Sequence, residues 1–228
     1  MAFWSHEHKF VYMDIQKTGS TSMLDVLKDS GFELEGRRHS TAIPDEVKDY
    51  YIWTVVRNPY SRIFSEWKAS WYGLGYHGLL EDKFFNENGE IRHPKRIINF
   101  IKLEFGEDLI NENEECLIKS LKEVLKRCNK SYLEWLKDRE DNPKKLKIQN
   151  NYIDELGVSK VHAFKLEEIS LNGIILPFYR NPLRMPYLNV SKGEFPVFEN
   201  LDLEKEHEEF VYNLLREDFE KFGYERLR

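Results

Sequence analysis

The chain has 228 residues, of which 41% are hydrophobic and 32% are charged, and its formal net charge is −6. This length and composition predict a single folded domain over residues 1–228 and exclude an intrinsically disordered chain. The acidic balance argues against non-specific nucleic-acid binding, because such binding needs a basic surface.

A strand, a polar loop and a helix are predicted in succession early in the chain. The apolar run from Phe10 to Ile15 (FVYMDI) has the length of a strand, and the polar residues QKTGSTS follow it directly. Apolar side chains at helical spacing then predict a helix from Ser22 to Asp29, which Gly31 stops.

A second unit of the same kind follows. The β-branched and aromatic run from Tyr51 to Val56 (YIWTVV) predicts a buried strand, and after the loop RNP a helix is expected from Ser61 to Trp71. Two strand–loop–helix units predict an α/β fold with a P-loop-like parallel β-sheet flanked by helices.

The middle of the chain is predicted to be mostly helical. Proline ends a helical middle insert at Asn142-Pro143, and the last helix is amphipathic, with Phe210, Leu214 and Phe219 facing inward. The predicted elements are helices from Ile97 to Phe105 and from Glu114 to Leu136, a strand from Val161 to Phe164, a loop from Pro177 to Pro196 and a helix from Leu203 to Phe222.

Cysteine use and the N-terminal sequence predict the compartment. Cys116 and Cys128 are too far apart in one predicted helix to pair within it, and no metal-ligand spacing is present. The segment MAFWSHEHKF lacks the apolar core of a signal peptide, and no run approaches the ~20 apolar residues of a membrane span. We therefore expect a cytoplasmic protein with no membrane span and no bound metal.

The first loop has the composition of a phosphate cradle. The backbone N–H groups and dipole of a helix start favour an anion, Gly19 permits close approach, Lys17 adds a charge and the hydroxyls add donors. Because the lysine precedes the glycine and the loop is short, the segment is not a Walker A loop. A Ser/Thr-rich helix cap with an incidental lysine is the alternative interpretation. The residues concerned are Lys17, Thr18, Gly19, Ser20, Thr21 and Ser22.

The second loop supplies an arginine. Arg57 follows a buried strand directly, where its charge needs an anionic partner or solvent, and Ser65 lies two turns into the next helix. The two side chains together can grip one phosphate. Taken alone, Arg57 is equally well explained as a surface or helix-capping arginine, but the two loops together are more specific than either.

With both loops, the sequence resembles the sulfotransferases that use 3′-phosphoadenosine 5′-phosphosulfate (PAPS). FVYMDIQKTGSTSMLDVLKD resembles their 5′-phosphosulfate loop, and TVVRNPYSRIFSEW resembles their 3′-phosphate motif. IQKTGST and RNPYSRIFSEW are most similar to the heparan sulfate 6-O-sulfotransferases of the carbohydrate branch. Further segments that resemble the family, in the same order, are RHSTA, IQNNYIDELGVSKVHAFKLEEI, MPYLNVSKGEF and EDFEKFGY.

The resemblance implies a reaction and the residues that carry it. The chain would transfer the sulfuryl group of PAPS, without a metal, to an acceptor hydroxyl, for which a carbohydrate is favoured, and would release adenosine 3′,5′-bisphosphate (PAP). Lys17 would stabilise charge on the leaving phosphate. The residues implied to hold the 5′-phosphate are Thr18, Gly19, Ser20, Thr21 and Ser22; those for the 3′-phosphate are Arg57 and Ser65; and those that close over the phosphate or adenine are Ser191, Lys192 and Gly193.

His39 is the expected general base. The family places its catalytic histidine between the two motifs, and histidine titrates near neutral pH. A surface histidine beside Arg37 and Arg38 is the alternative. The 6-O branch has a histidine three residues before the motif lysine, where this chain has Asp14, which is therefore the rival base or orients Lys17.

Other functions and the acceptor site rest on weaker patterns. A non-catalytic module that binds PAP would lack the base, and a P-loop nucleotide kinase would need a Walker A loop and a carboxylate for Mg²⁺. Aromatic residues after the second motif suggest a glycan cleft, although aromatic residues at helical spacing more often belong to a core. They are Trp67, Trp71, Tyr72 and Tyr76.

Overall fold

The computed structural model describes residues 2–37, 43–69, 88, 132–142, 146–185 and 205–226. The chain divides into two compact units, one of Met1–Ser65 with Arg139–Arg228 and one of Glu66–Asp138. The single-domain organisation therefore stays a prediction, and each unit is described by itself.

The first unit contains a five-stranded mixed sheet. Its strands have the order β3-β1-β2-β4-β5, in which β2, β4 and β5 are parallel and β1 is antiparallel to both of its neighbours. The α/β prediction is thus confirmed, with an antiparallel edge added to the parallel strands. The strands are β1 (Ala2–Ser5), β2 (Phe10–Met13), β3 (Glu35–Arg37), β4 (Tyr51–Val56) and β5 (His162–Lys165).

Seven helices and a hairpin complete the described residues. The hairpin pairs β6 (Ile174–Leu176) with β7 (Tyr179–Leu183) in antiparallel fashion. A short 3₁₀ turn occupies Asp45–Val47. The helices, numbered within the described residues, are α1 (Ser20–Asp29), α2 (Pro59–Ala69), α3 (Tyr132–Asp141), α4 (Gln149–Asp154), α5 (Leu166–Asn172), α6 (Lys205–Leu214) and α7 (Arg216–Phe222).

The sheet has a hydrophobic core on each face. Side chains alternate along a strand, so β2 and β4 send successive residues to opposite faces, and both runs are apolar because both faces are covered. One core contains Val11, Met13, Ile52 and Val56 of the strands with Tyr152 and Ile153 of α4. The other contains Phe10, Tyr12, Trp53 and Val55 with Met23, Leu24 and Leu27 of α1.

The bounds of several predicted elements were wrong by a few residues. The β2 strand ends at Met13 rather than Ile15, and α1 begins at Ser20 rather than Ser22. The α2 helix begins two residues earlier, at Pro59, since proline suits the first helical position. The predicted strand from Val161 to Phe164 is shifted by one residue in β5.

Two predictions for the later part of the chain were wrong in part. The region from Pro177 to Pro196 was predicted as a loop but contains β7, and Pro182 is tolerated there because a two-stranded hairpin leaves edges free of ladder hydrogen bonds. The predicted helix from Leu203 to Phe222 is broken at Leu215 into α6 and α7. Phe219 is buried as expected, whereas Phe210 and Leu214 are half-buried, and Val211 and Leu215 take the core positions.

Other predictions lie partly or wholly outside the described residues. Helix α3 ends at Asp141, directly before the predicted break, and within the second unit its Trp135 is buried. Trp67 is also buried, with its ring 5.4 Å from that of Tyr132, so this aromatic residue belongs to a core. Outside the description lie the predicted helix from Ile97 to Phe105, most of that from Glu114 to Leu136, both cysteines and the aromatic residues Trp71, Tyr72 and Tyr76.

Candidate active site

The two predicted loops follow neighbouring parallel strands. The first loop comes after β2, which ends at Met13, and the second comes after β4, which ends at Val56. Parallel strands end at the same edge of a sheet, and that edge is where open α/β sheets bind ligands. The fold therefore brings both loops to one place.

The backbone of the first loop turns sharply into α1. Lys17 and Gly19 have positive φ angles of 66° and 82°, and a non-glycine residue in this left-handed region costs about 1–2 kcal/mol. The Thr18 hydroxyl donates to the Ile15 carbonyl at 2.9 Å, and the Met23 N–H donates to the Gly19 carbonyl at 3.0 Å. These bonds close the loop over the start of the helix. Strain of this kind at a non-glycine residue is typical of functional loops.

Position 19 also has little room for a side chain, so a larger residue there would displace its neighbours. A Cβ atom added there would lie 2.7 Å from the Met185 methyl group and 3.3 Å from a Leu166 methyl group. The helix start thus packs closely against the segment after β7 and against the start of α5.

The hydroxyl-bearing residues predicted around the start of α1 differ in their exposure to solvent. Thr18 and Ser22 are buried, Ser20 is half-buried and Thr21 is exposed. Since the Thr18 hydroxyl donates within the loop, Thr18 would contribute its backbone N–H rather than its side chain to a bound anion. The first turn of a helix favours an anion through its N–H groups and dipole.

Arg57 joins the two loops. Its Nε donates to the Ser61 hydroxyl at 2.9 Å, and its Nη1 lies 3.4 Å from the Lys17 carbonyl oxygen. The guanidinium group therefore crosses from the second loop to the first. Ser65, one turn beyond Ser61 on the same helix, is half-buried on the face that Ser61 shares.

The backbone of Arg57 is held by a glutamine from another helix. The Gln149 side chain accepts the Arg57 N–H at 2.8 Å and donates to the Arg57 carbonyl at 2.9 Å. Asp218 accepts the backbone N–H groups of Gln149 and Asn150 at 2.9 Å and 2.8 Å. An acidic side chain from α7 thus caps α4, which carries the glutamine.

Asn58 is held from a different direction. Its N–H donates to Glu167 at 2.8 Å, and the Tyr224 hydroxyl donates to the other oxygen of that carboxylate at 2.8 Å. Burial raises the pKa of Tyr224 above its usual range, and the charge of Glu167 acts in the same direction. Tyr224 consequently keeps its proton and remains a donor.

Two buried ionisable groups lie behind the loops. The Arg62 guanidinium donates to the Lys147 carbonyl at 2.7 Å and lies 3.5 Å from the Gln16 carbonyl. Burial raises the pKa of Asp218, while its hydrogen bonds from Gln149 and Asn150 and the charge of Arg62 oppose this shift. Arg62 adds positive charge behind the loop that is predicted to hold phosphate.

Of the remaining predicted site residues, one is described by the structure and four are not. Asp14 is buried directly after β2, three residues before Lys17. The predicted base and the predicted closing residues, His39, Ser191, Lys192 and Gly193, lie outside the described residues.

The residues that hold the second loop were not predicted as site residues. They are Ser61, Gln149, Glu167, Asp218 and Tyr224. Four of them fall in the segments IQNNYIDELGVSKVHAFKLEEI and EDFEKFGY, so the available signal was the resemblance of these segments to the family. Neither segment has a spacing that indicates contact with Arg57.

A family model described as the sulfotransferase family matches residues 1–155, about two thirds of the chain, and this range includes both loops. The chain belongs to the sulfotransferase family. No curated protein and no solved structure matches the chain. The sulfotransferase match includes Lys17, Arg57 and Gln149, whereas Glu167, Asp218 and Tyr224 follow it.

Membership makes the chain a sulfotransferase, an enzyme that transfers a sulfuryl group to a hydroxyl-bearing acceptor. Among the described residues of this sulfotransferase, no group of three His, Cys, Asp or Glu side chains could hold a metal ion. Within the same part of the chain, none of the helices has the length and apolar character needed to cross a membrane.

Proposed function

We propose that this sulfotransferase moves the sulfuryl group of PAPS to a hydroxyl of a carbohydrate, without a metal. The observation that carries the proposal is the contact between the two loops, in which the Arg57 guanidinium reaches the Lys17 carbonyl. A nucleotide with phosphates at both its 5′ and 3′ positions needs two separate anion sites at a fixed distance. In this proposal the positive dipole end of the helix after Lys17 and the guanidinium of Arg57 are the two anion sites, and the contact between the loops supports their proximity.

The proposed transfer needs a general base and a group that stabilises the leaving phosphate. A base takes the proton of the acceptor hydroxyl as its oxygen bonds to sulfur, and the bond between sulfur and the bridging phosphate oxygen breaks. Lys17 stabilises the negative charge that develops on that oxygen, and PAP leaves with it. His39 is the proposed base, and Asp14, buried three residues before Lys17, is the alternative.

The carbohydrate acceptor rests on sequence resemblance. The loop segments are most similar to the heparan sulfate 6-O-sulfotransferases, but Asp14 replaces the histidine of that branch. We therefore propose a glycan as the acceptor class without a defined position of sulfation.

Calorimetric titration without metal tests the nucleotide site. We expect wild type to bind PAP more tightly than ADP or adenosine 5′-monophosphate (AMP), and we expect Arg57→Ala to lose this preference. A preference for ATP with Mg²⁺ would instead favour a P-loop kinase and contradict the proposal.

Turnover of labelled PAPS over a panel of acceptors, glycans first, tests the reaction. We expect His39→Ala to bind PAP as wild type does and to lose turnover. Normal turnover in that variant, with loss in Asp14→Asn, would assign the base to Asp14. Tight PAP binding without turnover on any acceptor would favour a non-catalytic module.

A further inference from the structure

A single buried side chain satisfies both backbone groups of Arg57. The carboxamide of Gln149 accepts the Arg57 N–H at 2.8 Å and donates to the Arg57 carbonyl at 2.9 Å, and Gln149 has no exposed surface. A primary amide has one acceptor and two donors, so it matches the N–H and C=O of one residue as a neighbouring strand would. The residues lie 92 positions apart in the chain.

The glutamine is itself fixed from behind. The Asp218 carboxylate accepts the backbone N–H of Gln149 at 2.9 Å and lies 3.4 Å from the Gln149 side-chain nitrogen. The other oxygen accepts the Asn150 N–H at 2.8 Å. A buried row of hydrogen bonds therefore runs from α7 through α4 to the peptide groups on either side of the Arg57 Cα atom.

We propose that Gln149, held by Asp218, is a positioning residue that aims Arg57 at the 3′-phosphate and so sets the preference for PAP over AMP. The inference rests on the proposed function, which gives Arg57 that phosphate. The Arg57 side chain leaves a Cα whose two flanking peptide groups are both bonded to Gln149. If those peptide groups rotate, the guanidinium is displaced, because the long side chain amplifies a small rotation at its Cα atom. A displacement of about 1 Å already weakens contacts such as that between the guanidinium and the 3′-phosphate.

Gln149 could instead only stabilise the end of β4, and the two roles predict different binding data. A general loosening of the fold weakens PAP and AMP alike, because both ligands use the first loop through the 5′-phosphate. Misplacement of Arg57 weakens PAP alone, because only PAP carries the 3′-phosphate. The informative quantity is therefore the ratio of the two dissociation constants.

The test uses Gln149→Met, which keeps the length of the side chain and removes both hydrogen bonds. Its matched control is Ile153→Ala, a buried position of the same helix that packs in the core. The change lowers stability, and the isoleucine side chain has no polar group with which to hold the backbone of Arg57. Wild type, both variants, Arg57→Ala and the double variant Arg57→Ala/Gln149→Met are titrated with PAP and AMP, well below the melting temperature of each.

We expect Gln149→Met to lose about 10-fold or more of the preference for PAP, since a misplaced guanidinium weakens its hydrogen bonds to the charged 3′-phosphate, which contribute about 10-fold or more. Its affinity for AMP should stay within about twofold of wild type, and Ile153→Ala should keep the wild-type preference. In the Arg57→Ala background the glutamine change should have no further effect on the ratio, because the group that it positions is absent.

The outcomes separate the two hypotheses. A wild type without a preference for PAP, or an Arg57→Ala variant that keeps it, overturns the proposed function and this inference with it. A preference that Arg57→Ala loses but Gln149→Met retains overturns this inference alone, as does an equal loss of PAP and AMP binding in Gln149→Met.

A second variant covers the case in which Gln149→Met does not fold. Gln149→Asn keeps an uncharged amide but shortens the side chain by one methylene, so it cannot hold both the N–H and the carbonyl of Arg57 and should lose a smaller part of the preference. A wild-type ratio of dissociation constants in Gln149→Asn would likewise contradict the proposal.

Discussion

The two loops of the site are fixed by different means. The turn of the first loop is closed by hydrogen bonds between near neighbours, from Thr18 to Ile15 and from Met23 to Gly19. Two arginines that follow β4 in the chain, Arg57 and Arg62, also reach backbone carbonyls of this loop. The second loop is held by residues 92 and 109 positions away, at Gln149 and Glu167. The turn of the first loop is therefore closed within a few consecutive residues, whereas the backbone groups of Arg57 and Asn58 in the second loop are bonded to segments far along the chain.

This difference suggests a division of labour. A locally determined loop keeps its shape when remote parts of the fold change, which suits the group that acts on the developing charge. A loop with remote supports transmits changes in those supports to the ligand. We expect changes in the first loop to affect the chemical step and phosphate binding, and changes in the supports of the second to affect selectivity and stability.

The largest effect should come from Lys17. Lys17→Met keeps the side-chain length and removes the charge, and we expect kcat to fall about 100- to 1000-fold, the usual loss when one group that stabilises transition-state charge is removed. The dissociation constant of PAP should change by less than about tenfold, because the lysine acts on charge that develops during reaction. The measurement is the rate of PAP formation from labelled PAPS. Lys28→Met, an exposed change in the last turn of α1, is the control and should leave the rate unchanged.

Alanine substitutions at two glycines distinguish the effect of backbone strain from the effect of close packing at the first loop. Gly19 and Gly31 have φ angles of 82° and 84°, but a Cβ at Gly31 meets nothing within 4 Å, whereas one at Gly19 meets Met185. Alanine in this conformation costs about 1–2 kcal/mol. Both variants should therefore lower the free energy of unfolding, Gly19→Ala by more than Gly31→Ala, as measured by denaturant titration.

Binding distinguishes the two glycine variants further. Only Gly19→Ala should weaken AMP and PAP together, by about fivefold or more, which corresponds to ~1 kcal/mol. Equal effects of the two variants on AMP binding would show that the close approach at Gly19 has no part in holding the ligand.

Asp218 tests the remote support of the second loop through pH. Asp218→Asn replaces one of two acceptor oxygens by a donor facing a backbone N–H, so we expect a loss of about 1–3 kcal/mol in the free energy of unfolding at neutral pH. Burial raises the folded-state pKa of Asp218 above its usual 3.8. A carboxyl group with a raised pKa binds its proton more tightly in the folded protein, so its contribution to stability is largest below pH 3.8 and declines as pH rises through the raised pKa.

The measurement is the difference in melting temperature between wild type and Asp218→Asn from pH 4 to pH 8. The difference should become smaller as pH rises over this range. A difference that grows with pH would show that the hydrogen bonds from α4 outweigh the effect of burial.

Tyr224 should show the smallest of these effects. Tyr224→Phe removes one hydrogen bond to Glu167 and keeps the ring, so we expect a loss of about 0.5–1.5 kcal/mol in the free energy of unfolding. Glu167 keeps its bond from the Asn58 N–H, and the preference for PAP over AMP should therefore change by less than about threefold. A larger change would indicate that Tyr224, through Glu167, also positions the second loop.

The parts of the fold that could be predicted from sequence are those with local signals. The bounds of β4 were predicted as observed, because a strand covered on both faces gives an unbroken apolar run bounded by a polar turn. The two loops were recognised because each follows such a strand directly. Their meeting at one sheet edge followed from the topology of parallel strands.

The parts that could not be predicted depend on pairing between distant segments. Strand β3 reads Glu-Gly-Arg and is exposed, so only its register against β1 identifies it. The break at Leu215 has no proline or glycine to announce it, yet it starts the helix that carries Asp218. Gln149 is one polar residue in a polar stretch, and nothing near it in sequence indicates that its amide faces Arg57.

The remote supports of the second loop also set an order of events during synthesis. At about 5–20 residues per second, a ribosome adds Tyr224 roughly 10–30 s after Arg57. Over that interval β4 already exists as a chain segment, but the glutamine, both carboxylates and the tyrosine that shape its loop arrive one after another. The chain therefore cannot acquire full recognition of the nucleotide before Tyr224 has been added. A ligand that binds only the folded enzyme shifts the folding equilibrium towards it. The substrate would therefore protect newly made enzyme against unfolding.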